Sequence, residues 1–120
     1  MTTDVERFFA ALPLGLEVHD WILARLQPRG EPTVRVTASQ VAYRRRVAFA
    51  WTWFPSRWLR DAEGVVVLSV GLGRLDPSPR WKEVAHPTPA RWMHHLEVRS
   101  AAALDDEVAG WLAEAWEAAG

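Results

Sequence analysis

Tryptophan and arginine are the residues of this sequence whose number and spacing suggest chemistry. Eight tryptophans occur in 120 residues, and five of them lie between residues 51 and 92, interleaved with arginines. Indole rings form the walls of sites for planar ligands, and guanidinium groups stack on rings or hold anions. We therefore expect a surface that binds a small organic or anionic ligand or a protein segment, and its candidate residues are Arg44, Arg46, Trp51, Trp53, Trp58, Trp81 and His95.

Other roles fit the same tryptophans. Trp is highly buried on average, so a tryptophan-rich core edged by arginine side chains is the competing interpretation for each of them. Single-stranded nucleic acid would stack its bases on aromatic rings, but a net charge of −1 with a single lysine argues against it. A second copy of the chain is another possible partner, because exposed apolar patches usually have one.

Histidine suggests an enzyme as an alternative. His95 and Glu97 lie two residues apart on a predicted strand and therefore share a face, which His86 could approach from the preceding segment. His94 points to the opposite face. A histidine could serve as general acid or base, whereas zinc sites usually show tighter ligand spacing. We expect a binding module rather than an enzyme, with no catalytic residue, metal or cofactor assigned.

Several kinds of chemistry are excluded by what the sequence lacks. Without cysteine there is no thiol nucleophile and no disulfide framework. No G-x-S-x-G elbow and no phosphate-binding P-loop occurs. Gly71 and Gly73 do not form a dinucleotide motif, because the third glycine is missing and Pro77 and Pro79 follow where a helix should begin.

The sequence predicts a cytoplasmic protein without a membrane partner. Asp4 and Glu6 precede the first apolar stretch, where a secretory signal would carry basic residues. The longest apolar run, Val65 to Leu72, has eight residues, whereas about 20 are needed to span a bilayer.

Three helices are predicted from apolar residues at helical spacing. Thr3 and Glu6 have the spacing of a capping box that opens the first helix, and Pro13 suits the first turn of the second. The third has an apolar stripe and early acidic residues, with Ser100 as its predicted cap. The predicted ranges are about 4–11, 13–26 and 104–115.

Between these helices the apolar period changes to two, which is typical of strands. Phe49, Trp51 and Trp53 are predicted to share one face of their strand. The segment 65–71 is apolar on both faces, which indicates a central strand. Five strands are predicted at about 33–37, 40–46, 48–54, 65–71 and 91–98, with a sixth at about 81–85.

Helices grouped at both ends of the chain around consecutive strands favour an α+β fold over βαβ units. We expect residues 1–120 to form a single domain, an antiparallel sheet of four to six strands with the N- and C-terminal helices packed on one face. In the last strand, Trp92 and His94 should face the helices, and Met93 and His95 should face away. That arrangement leaves the second face of the sheet for aromatic residues.

Charge is also unevenly distributed. Residues 29–60 carry seven arginines against one acid, whereas residues 101–120 carry five acids and no base. Two interpretations are open. The basic strands could serve a ligand, or the acidic helix and the arginines could simply neutralise one another.

An ordered series of segments covers most of the chain: VRVTASQVAYRRRVAFAWTWFP, SPRWKEV, RWMHHLEVRS and LDDEVAGWLAEAW. From Phe8 through Trp116 this series resembles the bacterial family called domain of unknown function 5655. Ala38 stands where the family often has lysine, which argues against a lysine-dependent mechanism. The resemblance implies a compact, portable module and brings no activity, cofactor or catalytic residue.

Overall fold

The computed structural model describes residues 2–55 and 64–120. Within these residues the helices are α1 (Asp4–Phe8), α2 (Pro13–Leu26) and α3 (Asp106–Ala118), and a 3₁₀ turn lies at Ala101–Ala103. No helix in the described part of the chain is both long enough and apolar enough to cross a membrane.

The first helix begins with the predicted capping box. The Thr3 hydroxyl accepts a hydrogen bond from the Glu6 backbone N–H at 3.1 Å, and the Glu6 carboxylate accepts one from the Thr3 N–H at 3.1 Å. The prediction of Ser100 as the cap of the last helix is wrong. Asp105 caps α3 by accepting from the Val108 N–H at 3.2 Å, because the intervening 3₁₀ turn delays the start of the helix.

Six strands form one antiparallel sheet in the order β1-β2-β3-β4-β6-β5. Every residue of β4 is buried, as its two apolar faces predicted, and β4 lies between β3 and β6. The strands are β1 (Thr33–Val36), β2 (Val41–Arg44), β3 (Ala48–Trp53), β4 (Val66–Leu72), β5 (Glu83–Thr88) and β6 (Arg91–Val98). The α+β fold with an antiparallel sheet is therefore confirmed.

The core lies between the helices and one face of the sheet. Leu68 and Val70 of β4 pack there with Ile22 of α2 and Leu112 of α3, and all four are buried. The strands' other side chains point to the opposite face, which we call the distal face. Val67 is also buried, but it lies on the distal face and does not belong to this cluster.

One predicted face assignment is wrong. Phe49 does not share a face with Trp51, because the pairing of β2 with β3 shifts there and a β-bulge turns Phe49 towards the helices. Phe49 is fully buried and packs edge-on against Trp116 of α3, with ring centroids 5.6 Å apart. Trp51 and Trp53 remain on the distal face, in register with Ser69 and Val67 of β4.

A candidate binding site on the distal face

The register of three neighbouring strands builds the site. Trp51 on β3 is paired with Ser69 on β4, and Ser69 is paired with His95 on β6, so these three side chains form one row across the distal face. Trp53 and Glu97 occupy the next row. Residues far apart in the sequence are thus held side by side by hydrogen-bonded strands, which gives the site a rigid floor.

Two adjoining hollows lie over this floor, and Trp53 and His95 line both of them. The first, of about 410 Å³, is lined by Gln40, Trp51, Trp53, Ser69, Met93 and His95. The second, of about 220 Å³, is lined by Trp53, Pro55, Val67, Lys82, Glu83, His95 and Glu97. Together they reach the size of small-molecule sites, which is about 300–1,000 Å³.

A chain of hydrogen bonds connects β3, β4 and β6 beneath the hollows. The Trp53 indole Nε1–H donates to the Ser69 hydroxyl at 3.0 Å, and that hydroxyl lies 2.7 Å from His95 Nδ1. The Trp53 and His95 rings also meet edge-on, with centroids 6.3 Å apart. Ser69 is only 3% exposed, so its hydroxyl is a buried support for the histidine and is poorly placed as a nucleophile.

The surroundings of His95 keep its imidazole neutral near physiological pH. Burial lowers the pKa of His95, the Glu83 carboxylate opposes this, and His94 adds to the lowering. Because a neutral imidazole has one N–H donor and one acceptor nitrogen, the protonation state matters for what the ring offers a ligand.

Arg91 crosses the distal face beside Trp51. Its guanidinium carbon lies 5.7 Å from the Trp51 ring centroid, and its NH2 group donates to the Ala48 carbonyl oxygen. Gly71 leaves room for the Arg91 side chain, because a Cβ at position 71 would lie 2.8 Å from Arg91 Nε. The Arg91 guanidinium is therefore already hydrogen-bonded within the protein.

The structure brings together three of the seven predicted site residues, Trp51, Trp53 and His95. Arg44 ends β2 as an exposed residue that lines neither hollow. Arg46 lies in the β2–β3 connection, where its backbone N–H donates to the Ala119 carbonyl at 3.0 Å.

Trp81 is part of the core and lies on the other side of the sheet. It is 8% exposed, its ring lies 4.1 Å from that of Trp111, and its indole N–H donates to the Asp76 carboxylate at 2.9 Å. Its predicted place on the binding surface is corrected accordingly. The remaining candidate, Trp58, lies outside the described residues.

The histidine cluster proposed for an enzyme is not assembled. His95 and Glu97 share the distal face as predicted, but His86 stacks on Trp92 with ring centroids 3.5 Å apart and does not reach them. An irregularity in the β5–β6 pairing beyond Ala85 sets this direction. Within residues 2–55 and 64–120, no three His, Asp or Glu side chains are grouped so that they could hold a metal ion.

Several residues of the site have no predicted role in the sequence, among them Ser69, Met93, Lys82 and Glu83. The absence of a nucleophile motif gives Ser69 no predicted role, and the strand pattern places Met93 on the correct face without a role. The one available signal for Ser69 was a lone hydroxyl in an otherwise apolar strand. Its pairing with His95 depends on strand order, which the sequence pattern does not contain.

Fold and site together define a small α+β domain with an aromatic hollow on the distal face of its sheet. The family model described as Domain of unknown function (DUF5655) matches residues 14–119. The chain belongs to this family, as its resemblance implied. No curated protein and no solved structure matches the chain.

Proposed function

We propose that this chain is a non-enzymatic binding module that holds a small planar organic ligand on its distal face. The observation that carries the proposal is the pair of hollows around Trp53 and His95, which lie on a sheet face that the core does not use. Trp51 and Trp53 are half-buried there, which suits rings that form the walls of a site.

The charges around the hollows favour the organic ligand over the anionic one. Arg44 and Arg46 line neither hollow, and Arg91 already donates to a backbone carbonyl. The charged residues that do line the site are Lys82, Glu83 and Glu97, with a formal sum of −1. An anion would therefore meet net repulsion, whereas stacking on indole needs no charge.

Tryptophan emission offers the test. A panel of nucleosides, aromatic acids and acyl metabolites is titrated while emission and access to a neutral quencher are followed. We expect a saturable change with at least one planar compound, because bound ligand shields Trp51 and Trp53. Trp51→Ala should weaken that binding about tenfold, the loss expected for one stacking partner.

Trp21→Phe is the matched control, since Trp21 is a half-buried tryptophan on α2, where it lies beside Arg25. This variant should bind as the parent does. A panel that leaves the emission unchanged, with Trp51 and Trp53 already inaccessible to quencher, would show that these tryptophans are packing residues only.

A further inference from the structure

The chain of hydrogen bonds from Trp53 to His95 determines which nitrogen of His95 carries the proton. An indole N–H can only donate, so the Ser69 oxygen accepts from Trp53 at 3.0 Å. In the described part of the chain, the only other partner of that oxygen is His95 Nδ1, at 2.7 Å. A buried hydroxyl without an acceptor would be costly, so the Ser69 O–H donates to Nδ1.

The proton of the neutral imidazole is therefore on Nε2. Nε2 has no hydrogen-bond partner within the residues that the structure describes, and His95 lines both hollows. Trp53 and Ser69 thus act as positioning residues that present an N–H donor at the site. Such a donor suits a neutral acceptor such as a carbonyl oxygen.

Two carboxylates lie near the His95 Nε2–H donor and can accept hydrogen bonds from a ligand. Glu97 is two residues from His95 on the same face of β6, and Glu83 is paired with His95 across β5 and β6. Both line the hollow of about 220 Å³. Ionised carboxylates only accept hydrogen bonds, so neighbouring residues of this hollow offer both a donor and an acceptor.

We propose that the ligand is a planar heterocycle with a lactam edge, in which a carbonyl and a ring N–H are adjacent, as in guanine or uracil. The carbonyl accepts from His95 Nε2–H, the ring N–H donates to a carboxylate of Glu97 or Glu83, and the ring stacks against Trp53. This inference rests on the proposed function, because it specifies the chemistry of the same site.

Two other ligand chemistries fit less well. An organic cation would suit the carboxylates and the indoles, but it would leave the His95 N–H without an acceptor, and Lys82 lines the same hollow. A multiply charged anion would face Glu83 and Glu97 directly. A neutral edge that both donates and accepts pairs with the His95 N–H and with one of the two carboxylates.

The test uses the full chain and three nucleosides in calorimetric titrations. Guanosine has the complete lactam edge, N1-methylguanosine lacks the N–H, and adenosine lacks the carbonyl. We expect guanosine to bind at least about tenfold more tightly than either analogue, because each analogue leaves a polar group of the site unpaired. Equal affinities for all three would overturn the proposed ligand class.

Variants assign the effect to residues. His95→Phe and Glu97→Gln should reduce the preference for guanosine, whereas Glu17→Gln, at an exposed position on α2, should leave it unchanged. Nitrogen NMR of the imidazole reports the positioning role, with the Nε2–H form dominant in the parent and a mixture of forms in Ser69→Ala. A dominant Nδ1–H form in the parent would overturn the inference.

The outcomes also separate this inference from the proposed function. If planar aromatic compounds without a lactam edge bind as well as guanosine or better, the module stands and the ligand class is wrong. If no planar compound binds at all, both are wrong.

Discussion

Two adjacent histidines of this protein have opposite roles. His94 is fully buried on the core side, and its Nε2 accepts from the Asp76 backbone N–H at 3.0 Å. Its Nδ1 must then carry the proton and donates to the Trp92 carbonyl at 3.1 Å. His95, on the distal face, carries its proton on Nε2 instead. One residue of offset along a strand therefore separates a histidine that anchors a loop from one that faces the site.

A third histidine belongs to a buried hydrogen-bond chain. His19 Nδ1 lies 2.9 Å from the Tyr43 hydroxyl, which lies 3.1 Å from the Thr52 hydroxyl. Burial lowers the pKa of His19, and the Asp20 carboxylate opposes this lowering. Burial also raises the pKa of Tyr43, so the phenol stays protonated. The chain links α2 to β2 and β3 through neutral groups.

The histidines predict a dependence of stability on pH. The pKa values of His19 and His95 are lowered in the folded chain, so the unfolded chain binds more protons as pH falls below about 6.5. The free energy of unfolding should therefore decrease between pH 7.5 and 5.5, above the range of about pH 4 where carboxylates respond. Urea unfolding at several pH values measures this decrease.

The double variant His19→Gln/His95→Gln provides the comparison. It should lose less stability over the same pH interval, because neither glutamine takes up a proton. A parent protein whose stability stays constant, or a double variant that retains the full decrease, would contradict the assignment of this effect to the two rings.

At the scale of elements, the pattern of the sequence was most informative where one local signal decided the outcome. The capping box at Thr3 placed the start of α1, and the continuous apolar run placed β4 at the centre of the sheet. The face of Phe49 could not be predicted, because a bulge depends on the pairing of two strands. The cap at Asp105 was missed because both Ser100 and Asp105 are suitable cap residues.

Two glycines inside helices predict opposite effects of the same substitution. A methyl group at Gly15 of α2 would overlap the Phe9 ring, whereas one at Gly110 of α3 would meet nothing within 4 Å. Gly110→Ala should stabilise the chain by about 0.5–1 kcal/mol, the usual gain in a helix interior. Gly15→Ala should destabilise it by about 1–3 kcal/mol through overpacking. Urea denaturation of both variants measures the difference.

Both variants replace a glycine within a helix by alanine. The difference between their free energies of unfolding is therefore independent of intrinsic helix propensity. If Gly15→Ala were as stable as the parent, the close packing of α2 on Phe9 would be wrong.

For the whole molecule, the uneven charge serves the fold. Acidic residues of α3 pair with arginines from other parts of the chain, of which Arg29 belongs to the basic segment 29–60, whereas Arg74 and Arg80 lie outside it. The pairs are Arg74 with Glu114 at 2.8 Å, Arg80 with Glu107 at 2.8 Å, and Arg29 with Glu117 at 3.3 Å. Because each pair is partly exposed, each contributes little to stability, and together they orient α3 against the loops.

Contacts between distant parts of the chain explain why only part of the site could be predicted. Trp51, Trp53 and His95 were selected by residue type and strand face, and these signals are local. Trp81 was selected by the same signals, yet it lies before β5 and in the core, where its ring packs at an angle against Trp111. The sheet order places β6 beside β4, and that long-range pairing creates the contact between Ser69 and His95.

The most direct test of the account is a proton–nitrogen NMR spectrum of the indole N–H groups during titration with guanosine. Each tryptophan has one such signal, so the spectrum reports which rings a ligand approaches. We predict that the signals of Trp51 and Trp53 move and saturate together, while those of Trp21, Trp81 and Trp111 stay in place. Movement confined to the latter three, or shifts that follow protein concentration instead of guanosine, would contradict a ligand site on the distal face.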